Sequence, residues 1–351
     1  MNQIASQVDP LATKLPVTII TGFLGSGKTT LISRLLTHPD MNRVAVLINE
    51  VGEIGIDNDL VRMSSENVTL LANGCLCCTV RTDLQETLRE LFGQRRAGEI
   101  ADFDRVVVET TGLADPAPVV QTLASDTMLA ALYRLDGVVT LVDAVNGVSN
   151  IENMPEAQKQ IALADRIIIS KSDLASEAQL EVLRQRIAAV NPRADAVLAV
   201  MGDIAPVLLT GLGLASARAG ISTLDFLGEG AKPHGAGEAY LGARLPARHD
   251  AGIRTLSLRF DKPFSWEAFS AAMDMLATLR GPDLLRVKGI VNVDGKPVVV
   301  QGVQHIFHPA LHLDRWPSED RDTRIVFISR KLDEAMIRGL FSAVHALVPG
   351  G

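Results

Sequence analysis

Cysteine is scarce in this sequence. Among 351 residues there are three, Cys75, Cys77 and Cys78, all inside "NGCLCCT". An odd count at such tight spacing excludes a disulfide framework, which spreads even numbers of cysteines along short secreted chains. No charged segment followed by an apolar run opens the chain, so no signal peptide is expected. No apolar stretch reaches about 18 residues, which argues against a membrane span. There is no basic stripe either. The net charge is −7 and the pI near 5.6, against a nucleic-acid or anionic-membrane partner. Repeats, heptad arrays and long charge runs are also missing. These absences point to a reducing cytoplasm, where clustered thiols mean metal or redox chemistry.

What is present is apolar and punctuated. Hydrophobic residues make up 47%, ample for a packed core, and the length suggests two domains. "LPVTIITG" (Leu15–Gly22), "RVAVLINE" (Arg43–Glu50), "RVVVETTG" (Arg105–Gly112), "GVVTLVDA" (Gly137–Ala144) and "DRIIIS" (Asp165–Ser170) are short runs rich in β-branched residues. Helix-like stretches separate several of them, among them "KTTLISRLLTH", "EAQKQIALA" and "SEAQLEVLRQRIAAV". Continuous apolar strands alternating with helices predict a mainly parallel sheet covered on both faces. Residues 227–251 lack an apolar period and read as a linker. Beyond it come a strand "IRTLSLRF", a helix capped by Ser265, a hairpin around Asp294-Gly295, a strand "TRIVFIS" and a last helix. The expected fold is α/β. A P-loop domain occupies 1–226, and a smaller α+β domain with an antiparallel sheet occupies 252–351.

"GFLGSGKT" (Gly22–Thr29) has the G-x-x-x-x-G-K-[ST] spacing of a phosphate loop, after an apolar strand and opening a helix. Its N–H groups can wrap phosphates at a positive helix N-terminus, and Gly25 and Gly27 clear the approach. Gly22, Gly25, Ser26, Gly27, Lys28, Thr29 and Thr30 are the expected nucleotide contacts, with Lys28 on the β- and γ-phosphates and Thr29 on Mg²⁺. Glu109 ends a buried strand, where sheet crevices bind ligands, and can hold the Mg²⁺ shell or orient water. Lys28, Thr29 and Glu109 are the expected catalytic group. "SKSD" (Ser170–Asp173) is similar to the N-K-x-D motif that selects guanine. Asp173 can accept from guanine N1–H and N2–H₂, and the Lys171 stem can lie along the ring. Ser170 is shorter than Asn, which weakens its reach to the base or to the phosphate loop. GTP is the expected nucleotide.

"TGFLGSGKTTL", "NEVGEIGIDNDL", "NGCLCC", "ETTGLADPAP" and "SKSD", in this order, resemble the CobW-type metallochaperone GTPases, relatives of the accessory GTPases that insert nickel into urease and hydrogenase. The C-terminal "RGPDLLRVKGIVNVDGKPVVVQGVQHIFHP" resembles the same family's second domain. The resemblance implies GTP hydrolysis, a transition metal held at the C-x-C-C element, and a client metalloprotein. Two departures stand out. Ser170 replaces Asn, and the linker carries only His234 and His249 where many relatives have a histidine-rich run.

Thiolates suit Zn²⁺, Cu⁺ or Co²⁺. Cys75 and Cys77 share one side of an extended chain, and Cys78 joins them if the backbone bends after Gly74. Three thiolates leave a tetrahedral position open, as a carrier requires. The segment Asn49–Leu60 between phosphate loop and cysteines is the expected nucleotide-sensing switch. Within it Glu53 is a candidate extra metal ligand and Asp57 a further oxygen donor, unless the segment is a solvated acidic loop. His305, His308 and His312 read as structural or as a second metal contact. The leading function is a GTP-hydrolysing carrier that delivers Zn²⁺ or Co²⁺ to a client. The alternatives are a nucleotide-regulated metal buffer or sensor, and a P-loop kinase with a structural zinc.

Overall fold

The computed structural model describes residues 14–41, 43–49, 68–70, 76–80, 84–212, 252–308 and 310–347. Eight strands form the first sheet: β1 (Leu15–Gly22), β2 (Val44–Asn49), β3 (Val68–Leu70), β4 (Leu76–Val80), β5 (Arg105–Thr110), β6 (Tyr133–Asp143), β7 (Arg166–Ser170) and β8 (Asp195–Leu198). Their order is β3-β4-β2-β5-β1-β6-β7-β8, parallel throughout except for β3 at the edge. Successive residues of a strand face opposite sides, and each side has its own helices. Ile19, Leu47, Val106 and Val108 pack under α2 (Leu84–Ala97), α3 (Ala117–Ser125) and α4 (Thr127–Leu132). Ile20, Val46 and Val107 pack under Leu31, Ile32 and Leu35 of α1 (Lys28–Thr37). The strands are apolar on both faces because both faces are covered. Around β6 and β7 stand α5 (Gly147–Asn153), α6 (Pro155–Leu163) and α7 (Glu177–Val190), the last opened by a Ser176–Gln179 capping box.

The second sheet is antiparallel. It comprises β9 (Ile253–Phe260), β10 (Leu284–Val293), β11 (Lys296–Val303), β12 (Ile306–Phe307), β13 (Leu311–His312) and β14 (Thr323–Arg330). β10 and β11 form a hairpin through Asp294 (φ 49) and Gly295 (φ 84), the two positive dihedrals that a tight two-residue turn demands. Ser265 caps α8 (Trp266–Arg280) by accepting from the Ala268 N–H. With α9 (Glu334–Leu347), that helix covers one face: Phe269 of α8 meets Phe264 just before it, and Phe341 of α9 meets Phe327 of β14. The expected boundaries of the linker fall within 213–251, outside the described residues.

The two sheets are tied to each other. Ala162 of α6 packs with Leu285 and Ile328, and Val303 joins the core of the first sheet. Gln121 donates to Gln304, and Thr255 to the Val190 carbonyl. At the centre Asp165, just before β7, is 2% exposed and meets Arg286 Nη2 and Lys288 Nζ, the latter at 2.6 Å. Its second oxygen accepts the Val138 N–H at 2.8 Å. Burial alone would raise the Asp165 pKa, but the two cations hold it below the usual carboxylate value. His308 lies beside this group with its Nε2 buried and without a hydrogen-bond partner among the described residues. Burial, reinforced by Arg286, brings its pKa down to about 4.

Removing one partner of a buried ion group strands the others, at a cost of about 3–5 kcal/mol. Asp165→Asn should lower unfolding stability by that order in denaturant titration. His308 should add a pH dependence of its own. Its folded pKa lies below the ordinary value near 6.5, so the neutral ring's contribution is complete above that pH and lost as pH falls toward about 4. His308→Gln should flatten the stability curve across that window.

Candidate functional site

Gly22 ends β1, and the next five residues turn back before α1 starts at Lys28. Ser26 N–H closes the turn on the Phe23 carbonyl at 3.1 Å. Gly27 has φ 90 at the helix N-cap, a conformation an L side chain rarely adopts. The buried Lys28 ammonium rests on carbonyls of its own loop, Gly22 at 2.7 Å and Phe23 at 3.3 Å. Burial lowers its pKa, opposed by the Glu109 carboxylate. The Ser26 hydroxyl is buried and finds no partner among the described residues.

Glu109 is 7% exposed near the end of β5, in register with Ile20 of β1. The Thr29 hydroxyl donates to its Oε1 at 3.5 Å. Thr110, the next residue, donates to Thr21 at 2.8 Å and locks the two strand ends together. Thr29 and Glu109 therefore present hard oxygen atoms side by side at the phosphate loop, a donor set that fits Mg²⁺.

Ser170 ends β7, and its hydroxyl donates to the Ser26 carbonyl at 2.7 Å. Its shortness does not cost it the phosphate loop. Lys171 has φ 55, and its ammonium lies 2.7 Å from Asp143 Oδ2. Asp143 ends β6, buried, and also accepts the Val145 and Asn146 N–H groups. Burial acts to raise its pKa, but Lys171 and the two N–H groups outweigh it and keep the carboxylate ionised. Asp173 is exposed in a 3-10 turn (Ser172–Leu174) that Ser172 anchors to the Ala199 carbonyl after β8.

Thus Gly22, Gly25, Ser26, Gly27, Lys28, Thr29, Thr30, Glu109, Ser170, Lys171 and Asp173 all cluster at the carboxyl edge of the sheet. Asp143 escaped the sequence reading. It ends an apolar strand just as Glu109 does, and that shared position was the available signal. Cys77 and Cys78 are successive residues of β4, in register with Val46 and Leu47 of β2. Cys75, Glu53 and Asp57 lie outside the described residues, as do His234 and His249. His305 is exposed over Gly281, and His312 is exposed near Trp266. Among the described residues no group of three or more His, Cys, Asp or Glu side chains is arranged to hold a metal. No helix among them is long and apolar enough to cross a membrane.

A phosphate loop, an acid on the neighbouring strand and the Ser170–Asp173 turn, all at one sheet edge, define a P-loop nucleotide-binding protein of the α/β class. Residues 16–198 match the CobW/HypB/UreG nucleotide-binding domain, and residues 253–345 match the cobalamin synthesis protein CobW C-terminal domain. The chain belongs to the CobW family. It is 35% identical over 338 residues to the zinc chaperone YjiA of Escherichia coli, covering 94% of this chain and 99% of that one. It is 34% identical to the zinc chaperone CobW of Pseudomonas aeruginosa, covering 95% and 92%. The crystal structure of Zn(II)-bound YjiA GTPase from E. coli superimposes with a TM-score of 0.70 at 33% identity, covering 94% and 99%.

Among the described residues the hydrogen bonds of the Lys28 ammonium all go to its own loop, so its removal should spare the fold. Lys28→Met should weaken nucleotide binding about 10- to 100-fold, the loss of charge-assisted bonds to phosphate. Calorimetric titration checks the affinity, and an unchanged melting temperature checks the fold.

Proposed function

We propose that this protein is a GTP-hydrolysing metallochaperone. It holds a transition metal, Zn²⁺ or Co²⁺, at Cys75, Cys77 and Cys78, with Glu53 as a further ligand, and passes it to a client metalloprotein. Residues 1–226 would form the nucleotide domain and 252–351 the domain that meets the client. The relatives named zinc chaperones favour zinc over cobalt.

One observation carries the reading. The cysteine-bearing β4 and the Glu109-bearing β5 are the two neighbours of β2, with Asn49 of β2 in register with Val80 on one side and Thr110 on the other. The segment Asn49–Leu60 begins at that strand end, between the thiol strand and the Mg²⁺ strand. A change there on binding or losing the γ-phosphate would reach both. For hydrolysis, Lys28 and the loop N–H groups would neutralise charge on the phosphates. Thr29 and Glu109 would hold Mg²⁺, which supplies further neutralisation when bound. Asp173 would select guanine, with Lys171 braced by Asp143 and Ser170 fixing the turn to the phosphate loop.

Binding linkage is reciprocal, so GTP must tighten metal by the factor that metal tightens GTP, about 5- to 150-fold for typical coupling. Zn²⁺ and Co²⁺ titrations with GTP·Mg²⁺, ATP·Mg²⁺, GDP and no nucleotide should show tight binding with GTP alone. Serine at all three cysteine positions should abolish the difference and leave GTP binding intact. Equal metal affinity in every state would leave a passive site and refute the switch.

A further inference from the structure

Two consecutive residues of α6 hold the loop that follows Glu109. Gln160 is fully buried. Its side-chain amide donates to the Gly112 carbonyl at 3.1 Å and the Ala114 carbonyl at 3.0 Å. Lys159 reaches Asp115 at 2.7 Å, and the other oxygen of Asp115 accepts the Ala117 N–H that starts α3. The loop is thus fixed at Gly112, Ala114 and Asp115 by one turn of one helix.

The same loop bears on the phosphate loop. A Cβ at Gly112 would stand 2.8 Å from the Leu24 nitrogen and 2.9 Å from its Cα. Backbone lies against backbone, so the post-Glu109 loop packs directly on the phosphate loop. Gln160 also lines, with Phe23 of the phosphate loop and Asn150 of α5, a small cavity behind the site. The helix that carries it has little freedom. The Gln160 carbonyl accepts Thr140 Oγ1 of β6 at 2.8 Å, and Asn191 Nδ2 donates to the Ile161 and Ala164 carbonyls.

We propose that Gln160 is a positioning residue for GTP hydrolysis, acting through Gly112 and Ala114 to fix the post-Glu109 loop against the phosphate loop. The proposal rests on the hydrolysis reading above. Only an amide fits the task, because both N–H bonds point at carbonyls and a carboxylate would repel them. Nucleotide affinity depends on Lys28, the loop N–H groups and Asp173, none of which Gln160 touches. Its loss should therefore appear in kcat rather than in binding, since small misplacements of reacting groups cost rate steeply.

The test uses the full chain, with GTP turnover and GDP affinity measured for the parent, Gln160→Met, Gln160→Glu and Lys159→Met. Gln160→Met should lower kcat about 10- to 100-fold with KM and GDP affinity unchanged. Gln160→Glu should be slower still at neutral pH and recover as pH falls, because a protonated carboxyl regains one donor. Lys159→Met cuts only the outer, half-exposed tie, so it should fold even where the Gln160 variants do not. It should lower kcat by a smaller factor. Parental kcat in Gln160→Met, or in Lys159→Met where that is the variant that folds, overturns the proposal. So does a parallel loss of kcat and GDP affinity, the mark of a merely structural glutamine. A parent that binds but never hydrolyses GTP would overturn the hydrolysis reading and the proposal together.

Discussion

The bond from the Ser170 hydroxyl to the Ser26 carbonyl sets the geometry of the nucleotide site. It joins the end of β7 to the bend of the phosphate loop across β6, so the Ser170–Asp173 turn and the phosphate loop are held in one frame. Everything else at this edge is arranged around that frame. Thr110 and Thr21 bring the β5 and β1 ends together, which places Glu109 beside Thr29. Asp143 holds Lys171, and Ser172 holds the turn to the strand beyond.

Much of this was legible in the sequence because the rules involved are local. A buried parallel strand must be apolar on both faces, so β1, β2, β5 and β7 announce themselves. The Asp294-Gly295 turn and the Ser265 cap are single-residue signatures of backbone geometry. The phosphate loop is a spacing rule. What escaped is what depends on distant partners. β6 starts at Tyr133, four residues before its apolar run, because it pairs with β1 from Leu15 onward, and the polar Arg134 and Asp136 in that stretch are met by distant Arg105 and by each other. β8 was invisible because its residues are half-exposed and carry no continuous apolar run. Asp165 reads as an ordinary strand-start acid, and its cations lie more than a hundred residues away in the second sheet. Gln160 looks like one polar residue among several on an amphipathic helix.

The cysteine strand illustrates how order in the sheet differs from order in the chain. Between the phosphate loop and the thiols lie about fifty residues of sequence, yet in the sheet β4 is only three strands from β1. β2 intervenes twice over. It carries the chain from α1 to Asn49, and it pairs with both β4 and β5. Cys77 and Cys78 on β4 and Glu109 on β5 thus share one backbone ladder through β2.

β7 is five residues long, roughly 17 Å at strand rise. Just before its start Asp165 is clamped to β10, and at its far end Ser170 is bonded to the phosphate loop. The strand acts as a short strut with both ends welded. The second sheet therefore cannot swing about a hinge here without exposing or stranding three buried charges. A molecule anchored on that sheet would sit at a set reach from the nucleotide, as a workpiece sits in a vice, and any cargo movement must come from segments outside the strut.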